Sequence, residues 1–277
     1  MLPSAHMESP DQVDYLSGKT RVFGIVGDPI EQVRSPEMIT AEMTSRGHDA
    51  VLVPMHVLPA DFDAFLPQLL RMRNLGGLVF TIPYKARACA LASELGPQAR
   101  IVNAINALAR DAQDRWRGEI FDGQGCVEAF RRRGIALRGK RVMLVGAGGA
   151  GSAIAAAVAF EAPASLTIFD ADVARSRSLA AAVMRAVPDA RVSAGALTLD
   201  GIDVLLNATP VGMLDDPRMP IEAHALPRGL VVFDAIVKPE CTPLLALAER
   251  CGCTTVRGRE MMRGQIARMV DFFFARG

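Results

Sequence analysis

Residues 141–158 read RVMLVGAGGAGSAIAAAV. The stretch opens on an apolar run, Val142 to Val145, passes through a glycine-rich joint and closes on alanines. Those three pieces predict a buried strand, a tight turn and a helix. Gly146, Gly148 and Gly151 stand as G-x-G-x-x-G at the joint. Gly146 allows the turn, Gly148 lets a pyrophosphate approach the backbone, and Gly151 lets the helix pack on the strand. Ala147, Gly149 and Ala150 complete the loop, whose free amides at the helix start, with the helix dipole, favour an anion. An ordinary glycine-rich turn would share the glycines, but not strand, helix and spacing together.

Working outward, short apolar runs alternate with helical patterns from about residue 21 to the end, the signature of an α/β fold. In the first half RVFGIVG, AVLVPMHV and GLVFTIP read as strands, with helices over Ser35–Arg46, Asp61–Arg73 and Lys85–Leu95. INALAR and DRWRGEIF flank a polar turn and read as a hairpin. In the second half RVMLVGA, SLTIFDA, IDVLLNAT and LVVFDAI read as buried parallel strands. The expected architecture is two domains. An amino-terminal α/β substrate domain covers residues 21–125 and a Rossmann-type dinucleotide-binding domain covers 126–257. The boundary falls in Gln-Gly and Arg-Gly turns between Asp122 and Lys140, and a helix over 258–277 completes the first domain. Residues 1–20 read as a loose tail; they lack the charged start and apolar core of a secretory signal.

The strand SLTIFDAD carries Asp170, close to the offset at which an acidic residue meets the adenosine ribose. A carboxylate there accepts from both ribose hydroxyls and repels a 2′-phosphate; unit charges at 4 Å near a surface interact by on the order of 4 kcal/mol. Arg175 and Arg177 lie one to two turns into the next helix. NAD is therefore expected over NADP. Asn207 and Thr209 end a later strand on the nucleotide side, where polar turns suit a nicotinamide ribose, although alone they read as a plain turn.

The 277 residues carry a formal net charge of +1, which gives no electrostatic reason to expect nucleic acid or an anionic membrane. The basic run Arg131–Arg133 reads as solvated surface, and no apolar stretch reaches the ~18 residues of a membrane span. Cys89, Cys126, Cys241, Cys251 and Cys253 have no zinc-type spacing, so reduced cytoplasmic thiols and no metal are expected. The partner is expected to be a small molecule, and the chain a monomer or homodimer.

Lys85 follows a strand and a proline at an expected helix start, where the dipole disfavours a cation. Such a place can ready an amine for proton transfer. Asp122 ends a strand-like run before Gly123. Alone, each would read as a solvated lysine and a turn aspartate.

They come in an order. GDPIEQVRSP, TIPYK, AINAL, FDGQG, GAGGAG, NATPVGM, KPECTPLL and GREMMRGQ succeed one another from residue 27 to 265. With them the chain resembles the shikimate/quinate dehydrogenase family along nearly its whole length from residue 21. The resemblance implies hydride exchange between C4 of a nicotinamide and a ring carbon bearing a hydroxyl or ketone. It places Lys85 as general acid/base and Asp122 as its orienting partner. It places Ser35, Thr81, Asn106 and Gln265 on substrate hydroxyls or carboxylate, and Ile236 and Gly258 beside the nicotinamide.

Departures from the family pattern gather around the substrate. The first of two serines is Val33, leaving Ser35. An expected asparagine is Val79, an expected Asn-Thr is Ile120-Phe121, and an expected tyrosine is Val237. Each lost hydrogen bond to a charged group forfeits roughly 1.5–3 kcal/mol. Two losses predict about two to four orders of magnitude against shikimate, unless Arg34 or Lys238 supplies a cation.

The expectation is an NAD-dependent oxidoreductase acting on a shikimate- or quinate-like alicyclic acid. A nucleotide-binding sensor that has lost turnover is the alternative, disfavoured by the retained lysine and aspartate. A dehydrogenase of linear 2-hydroxy acids is weaker, because His6, His48, His56 and His224 show no carboxylate partner in the sequence.

Overall fold

The computed structural model describes residues 16–275; the expected tail through position 15 lies outside them. The elements in chain order are β1 (Arg21–Gly27), α1 (Ser35–Ser45), β2 (Ala50–His56), α2 (Phe62–Leu69) and β3 (Leu75–Phe80). A 3-10 turn (Arg87–Leu91) precedes β4 (Glu94–Leu95), α3 (Pro97–Val102), β5 (Ala107–Arg110), β6 (Trp116–Glu119) and α4 (Asp122–Arg132). Then come β7 (Arg141–Val145), α5 (Gly149–Phe160), β8 (Ser165–Phe169), α6 (Val173–Ala186) and β9 (Val192–Ala194). The chain continues through β10 (Val204–Asn207), β11 (Val231–Asp234), α7 (Pro243–Arg250), β12 (Thr254–Arg257) and α8 (Gly258–Phe274).

Two six-stranded sheets result. The first runs β2-β1-β3-β5-β6-β4, with β1, β2 and β3 parallel and β5 antiparallel to both neighbours. The second, read from its far edge, runs β9-β8-β7-β10-β11-β12 with every pairing parallel. That is the doubly wound 3-2-1-4-5-6 order, whose strand direction of succession reverses between β7 and β10. Ligands in such sheets bind outside the carboxyl ends of the strands at that reversal. The glycine joint after β7 and the Asn207–Met213 turn after β10 both lie there.

Helix α8 carries the chain back to the first sheet. Its Met262, Ile266, Met269, Val270 and Phe273 share one core with Phe23, Ile25, Ile39 and Met43. It also packs along α4.

Several expectations need correction. Residues 85–95 form a short 3-10 turn and a two-residue strand instead of a helix, so the dipole argument for Lys85 falls. Gln124-Gly125 lies inside α4, and the expected boundary at 125/126 falls within that helix. The glycine is there for approach: a Cβ on Gly125 would lie 2.5 Å from the Met261 carbonyl oxygen of α8. The turn itself comes at Gly134, φ 68°. Residues 17–20 belong to the fold, since the Thr20 hydroxyl donates to Asp49 Oδ1 at 2.7 Å. Arg131, Arg132 and Arg133 pair with Glu128 and Glu260 at the surface. His56 does have a carboxylate partner, Asp28, at 2.8 Å. Parallel pairing of β1 with β2 sets Gly27 opposite His56, a juxtaposition invisible along the chain.

Candidate active site

The segment from Thr81 to Lys85 leaves β3 at the carboxyl edge of the first sheet. Its shape is held from within. Tyr84 is fully buried, its ring stacks on Phe62, and its hydroxyl donates to the Val57 carbonyl. The Tyr84 amide donates to the Thr81 carbonyl, and the Ile105 amide donates to the Lys85 carbonyl at 2.8 Å. With Tyr84 turned into the core, Lys85 emerges between the two sheets: a Cβ on Gly149 would lie 3.2 Å from Lys85 Cδ. The amino-terminal lysine therefore lies against the nucleotide loop.

Asp122 is the first residue of α4 and almost fully buried. The amides of the first helical turn and the positive end of the dipole favour a carboxylate at that place. Lys85 Nζ donates to Asp122 Oδ2, and the ammonium side is itself mostly covered. Two residues 37 positions apart are thus one charged pair. Such a pair, removed from water, keeps its geometry far better than a surface ion pair.

Asn106 ties this pair to the rest of the cleft. Its Oδ1 accepts from the Phe121 amide at 2.9 Å, immediately before Asp122. Its Nδ2 donates to Gln265 Oε1 of α8 at 3.2 Å. Three of the expected substrate residues are therefore placed in relation to one another: Asn106 and Gln265 touch, and Thr81 stands four residues before Lys85 in the same loop. The Thr81 methyl lies where a Cβ on Gly27 would meet it at 2.4 Å. Ser35 opens α1 half-buried, and among the described residues no hydrogen bond joins it to the pair.

On the nucleotide side the three glycines differ in what surrounds them. Gly146 has φ 103°, which L side chains avoid. A Cβ on Gly151 would lie 2.0 Å from the Gly146 carbonyl oxygen, so helix and turn touch there. A Cβ on Gly148 would meet nothing within 4 Å, leaving an open cradle over the start of α5. Gly149, Ala150 and Gly151 follow with first-turn amides that have no acceptor inside the helix. A pyrophosphate fits this donor set by shape and by charge.

Asp170 follows β8 beside the loop. Its Oδ2 accepts from the Ala147 amide at 2.7 Å and its Oδ1 from the Asp172 amide at 2.9 Å. Asp172 caps α6 and pairs with Arg175 at 3.3 Å. The Asn207 side chain is fully buried. It donates to Asp234 Oδ1 at 3.1 Å and accepts from the Thr209 amide and hydroxyl at 2.9 and 2.8 Å. These bonds shape the turn that carries Thr209. Ile236 is buried just after β11, and Gly258 begins α8 against it, a Cβ there meeting the Ile236 carbonyl oxygen at 2.4 Å.

The apolar departures separate into two groups. Val33, Val79, Phe121 and Val237 join one cluster with Met262 and Ile266. Ile120 does not: it packs with Leu78, Tyr84 and Ile105 on the other side of the sheet. Alternation at the strand end sends Ile120 and Phe121 to opposite faces.

A doubly wound sheet with an open glycine cradle has the form of a dinucleotide-binding domain, and a buried lysine–aspartate pair lies against its loop. The family model for the shikimate dehydrogenase substrate binding domain matches residues 25–108. Shikimate dehydrogenase (NADP(+)) from Rhodospirillum rubrum is 32% identical over 256 residues, 90% of each chain. Shikimate 5-dehydrogenase from Listeria monocytogenes, solved with shikimate and NAD, superposes with a TM-score of 0.83 at 26% identity, over 93% of both chains. Quinate dehydrogenase from Corynebacterium glutamicum, solved with NAD, gives 0.81 at 27% identity, over 92% of this chain and 94% of that one. The chain belongs to the shikimate dehydrogenase family.

Behind the Asn207 turn lies Asp234, to which no role was assigned from the sequence. Its signal was a carboxylate closing an otherwise apolar strand, LVVFDAI.

Proposed function

We propose that this chain is an NAD-linked dehydrogenase of an alicyclic alcohol related to shikimate or quinate, with a preferred substrate other than shikimate. The observation that carries the proposal is the buried Lys85–Asp122 pair lying against the nucleotide loop. When bound, the nicotinamide ring takes or supplies the hydride. Loss of hydride from an alcohol carbon requires that the hydroxyl proton leave in the same event. In the direction of oxidation Lys85 Nζ takes that proton as the neutral amine and becomes the ammonium; in the direction of reduction the ammonium gives it back. Asp122 holds the amine on the substrate oxygen and accepts a hydrogen bond from a neighbouring hydroxyl. Asn106, Gln265, Thr81 and Ser35 supply the hydrogen-bonding side of the site.

Asp170 supports NAD. A carboxylate beside the Ala147 amide repels a 2′-phosphate, and the nearest arginine of α6 to it in sequence, Arg175, pairs with Asp172. The relative from Rhodospirillum rubrum is named as NADP(+)-dependent, so the proposal sets this chain apart from that relative. The face formed by Val33, Val79, Phe121 and Val237 supports the altered substrate, because it offers a ring carboxylate no hydroxyl or amide from those side chains. Arg34 and Lys238 flank the face but are exposed.

Initial rates with quinate, shikimate and aminoshikimate, each with NAD and with NADP, test the proposal. Turnover of at least one with NAD in preference is expected. Shikimate turned over with a micromolar KM and NADP would overturn both finer points. Tight dinucleotide binding without turnover of any would favour a sensor.

A further inference from the structure

One carboxylate in the nucleotide domain is buried without touching the cleft. Asp234, the last residue of β11, has no exposed surface, and burial pushes its carboxyl above the usual carboxylate range. Burying such a group is costly unless donors surround it, and here they do. Oδ1 accepts from Asn207 Nδ2 at 3.1 Å and from the Ile236 amide at 3.0 Å. Oδ2 accepts from the Thr242 hydroxyl at 2.7 Å.

Each donor opens onto a different segment. Asn207, oriented by giving its amide to Asp234, presents its carbonyl oxygen to Thr209. The Thr209 hydroxyl in turn accepts from the Val211 amide at 3.2 Å. Across the reversal point, a Cβ on Gly146 would lie 3.0 Å from the Ala208 carbonyl, so this turn abuts the glycine loop. Ile236 abuts Gly258 and with it the start of α8, the helix that carries Gln265. Thr242, having given its proton to Asp234, accepts from the Leu245 amide at 3.3 Å and caps α7. Packing alone would be served by an apolar residue at position 234. A carboxylate with three donors from three segments fixes their mutual positions.

We infer that Asp234 is a positioning residue for the dinucleotide, acting through Asn207–Thr209, Ile236 and Thr242 on the wall that faces the nicotinamide half. The inference rests on the proposed function for the identity of that ligand.

Purified full chain is titrated with NADH and with NADPH, and binding is read from nicotinamide fluorescence. Melting temperature and the KM of the alicyclic substrate at saturating dinucleotide are measured alongside. Asp234→Asn removes the charge and turns one acceptor oxygen into a donor, so that the Thr242 hydroxyl can no longer donate there, and is expected to weaken binding at least about tenfold, or 1.4 kcal/mol. Thr242→Val is expected to weaken it several-fold, and Thr242→Ser, which keeps the hydroxyl, to bind as the wild type does. Substrate KM is expected to change by less than about twofold throughout, at that same scale of free energy. If folded Asp234→Asn and Thr242→Val bind as the wild type, the inference is overturned, whatever their melting temperatures. Should Asp234→Asn not fold, Thr242→Val against Thr242→Ser decides alone. A wild type that binds neither dinucleotide overturns the proposed function, and this inference with it.

Discussion

Lys85 of the first domain and Gly149 of the nucleotide loop approach so closely that a methyl on the glycine would lie 3.2 Å from the lysine Cδ. The Lys85 side chain and the glycine loop are therefore neighbours across the two sheets. The three loop glycines can be told apart by what a methyl would meet. Gly148→Ala meets nothing within 4 Å. Its stability is expected to stay within about 0.5 kcal/mol of wild type, while NADH binding falls at least about tenfold. Gly151→Ala meets the Gly146 carbonyl oxygen at 2.0 Å. It is expected to cost about 1–3 kcal/mol, roughly 2–4 °C of melting temperature per kcal/mol. Calorimetry and fluorescence titration separate the two; equal loss of stability in both variants would refute the assignment.

Much of this was legible in the sequence, for physical reasons. G-x-G-x-x-G between an apolar run and alanines constrains turn, approach and packing at once, and the neighbouring strands were continuous apolar runs. The Lys85–Asp122 pair was not legible from periodicity: it depended on the order of motifs, because the two stand 37 positions apart with no local signal of contact between them. Residues 85–95 misled because KARACALASEL has helical composition, yet Tyr84 and the Ile105–Lys85 hydrogen bond anchor the loop against β5 and leave only a 3-10 turn. The Asp28–His56 pair and the Asp234 network depend on strand register, which a single sequence does not display.

Cofactor choice can be moved at one position. Asp170→Asn removes the charge and keeps an oxygen for the Ala147 amide. The ratio of kcat/KM for NADP over NAD is expected to rise at least about tenfold, a 1.4 kcal/mol change. An unchanged ratio would show that Asp170 does not govern the choice.

The apolar face predicts a gain of function. Val33→Ser combined with Val237→Tyr adds hydroxyls to a cluster that otherwise holds Val79, Phe121 and Met262. At roughly 1.5–3 kcal/mol for each hydrogen bond to a carboxylate, shikimate kcat/KM is expected to rise about a hundredfold. A rise confined to quinate-like substrates without change for shikimate would contradict the reading of this face.

Acid stability provides a test of the second sheet. Arg141, at the start of β7, donates to Asp203 from its backbone amide at 2.8 Å and from its guanidinium at 3.0–3.1 Å. These bonds lower the Asp203 carboxyl from 3.8 to about 2. A depressed folded-state value stabilises the fold above pH 3.8, and the contribution is lost as pH falls towards about 2. Urea midpoints of wild type and Asp203→Asn are expected to differ at pH 7 and to converge across that acidic window. A difference that persists unchanged down to pH 2 would rule this pair out as its source.

The central claim is that Lys85, held by Asp122, moves the proton as hydride leaves. Its most direct test is turnover by Lys85→Ala on the best NAD-linked substrate, with NADH binding measured on the same preparation. The account predicts kcat reduced about 10²–10⁴-fold with dinucleotide affinity within about twofold of wild type. Turnover near the wild-type rate, with the dinucleotide bound as before, would contradict it.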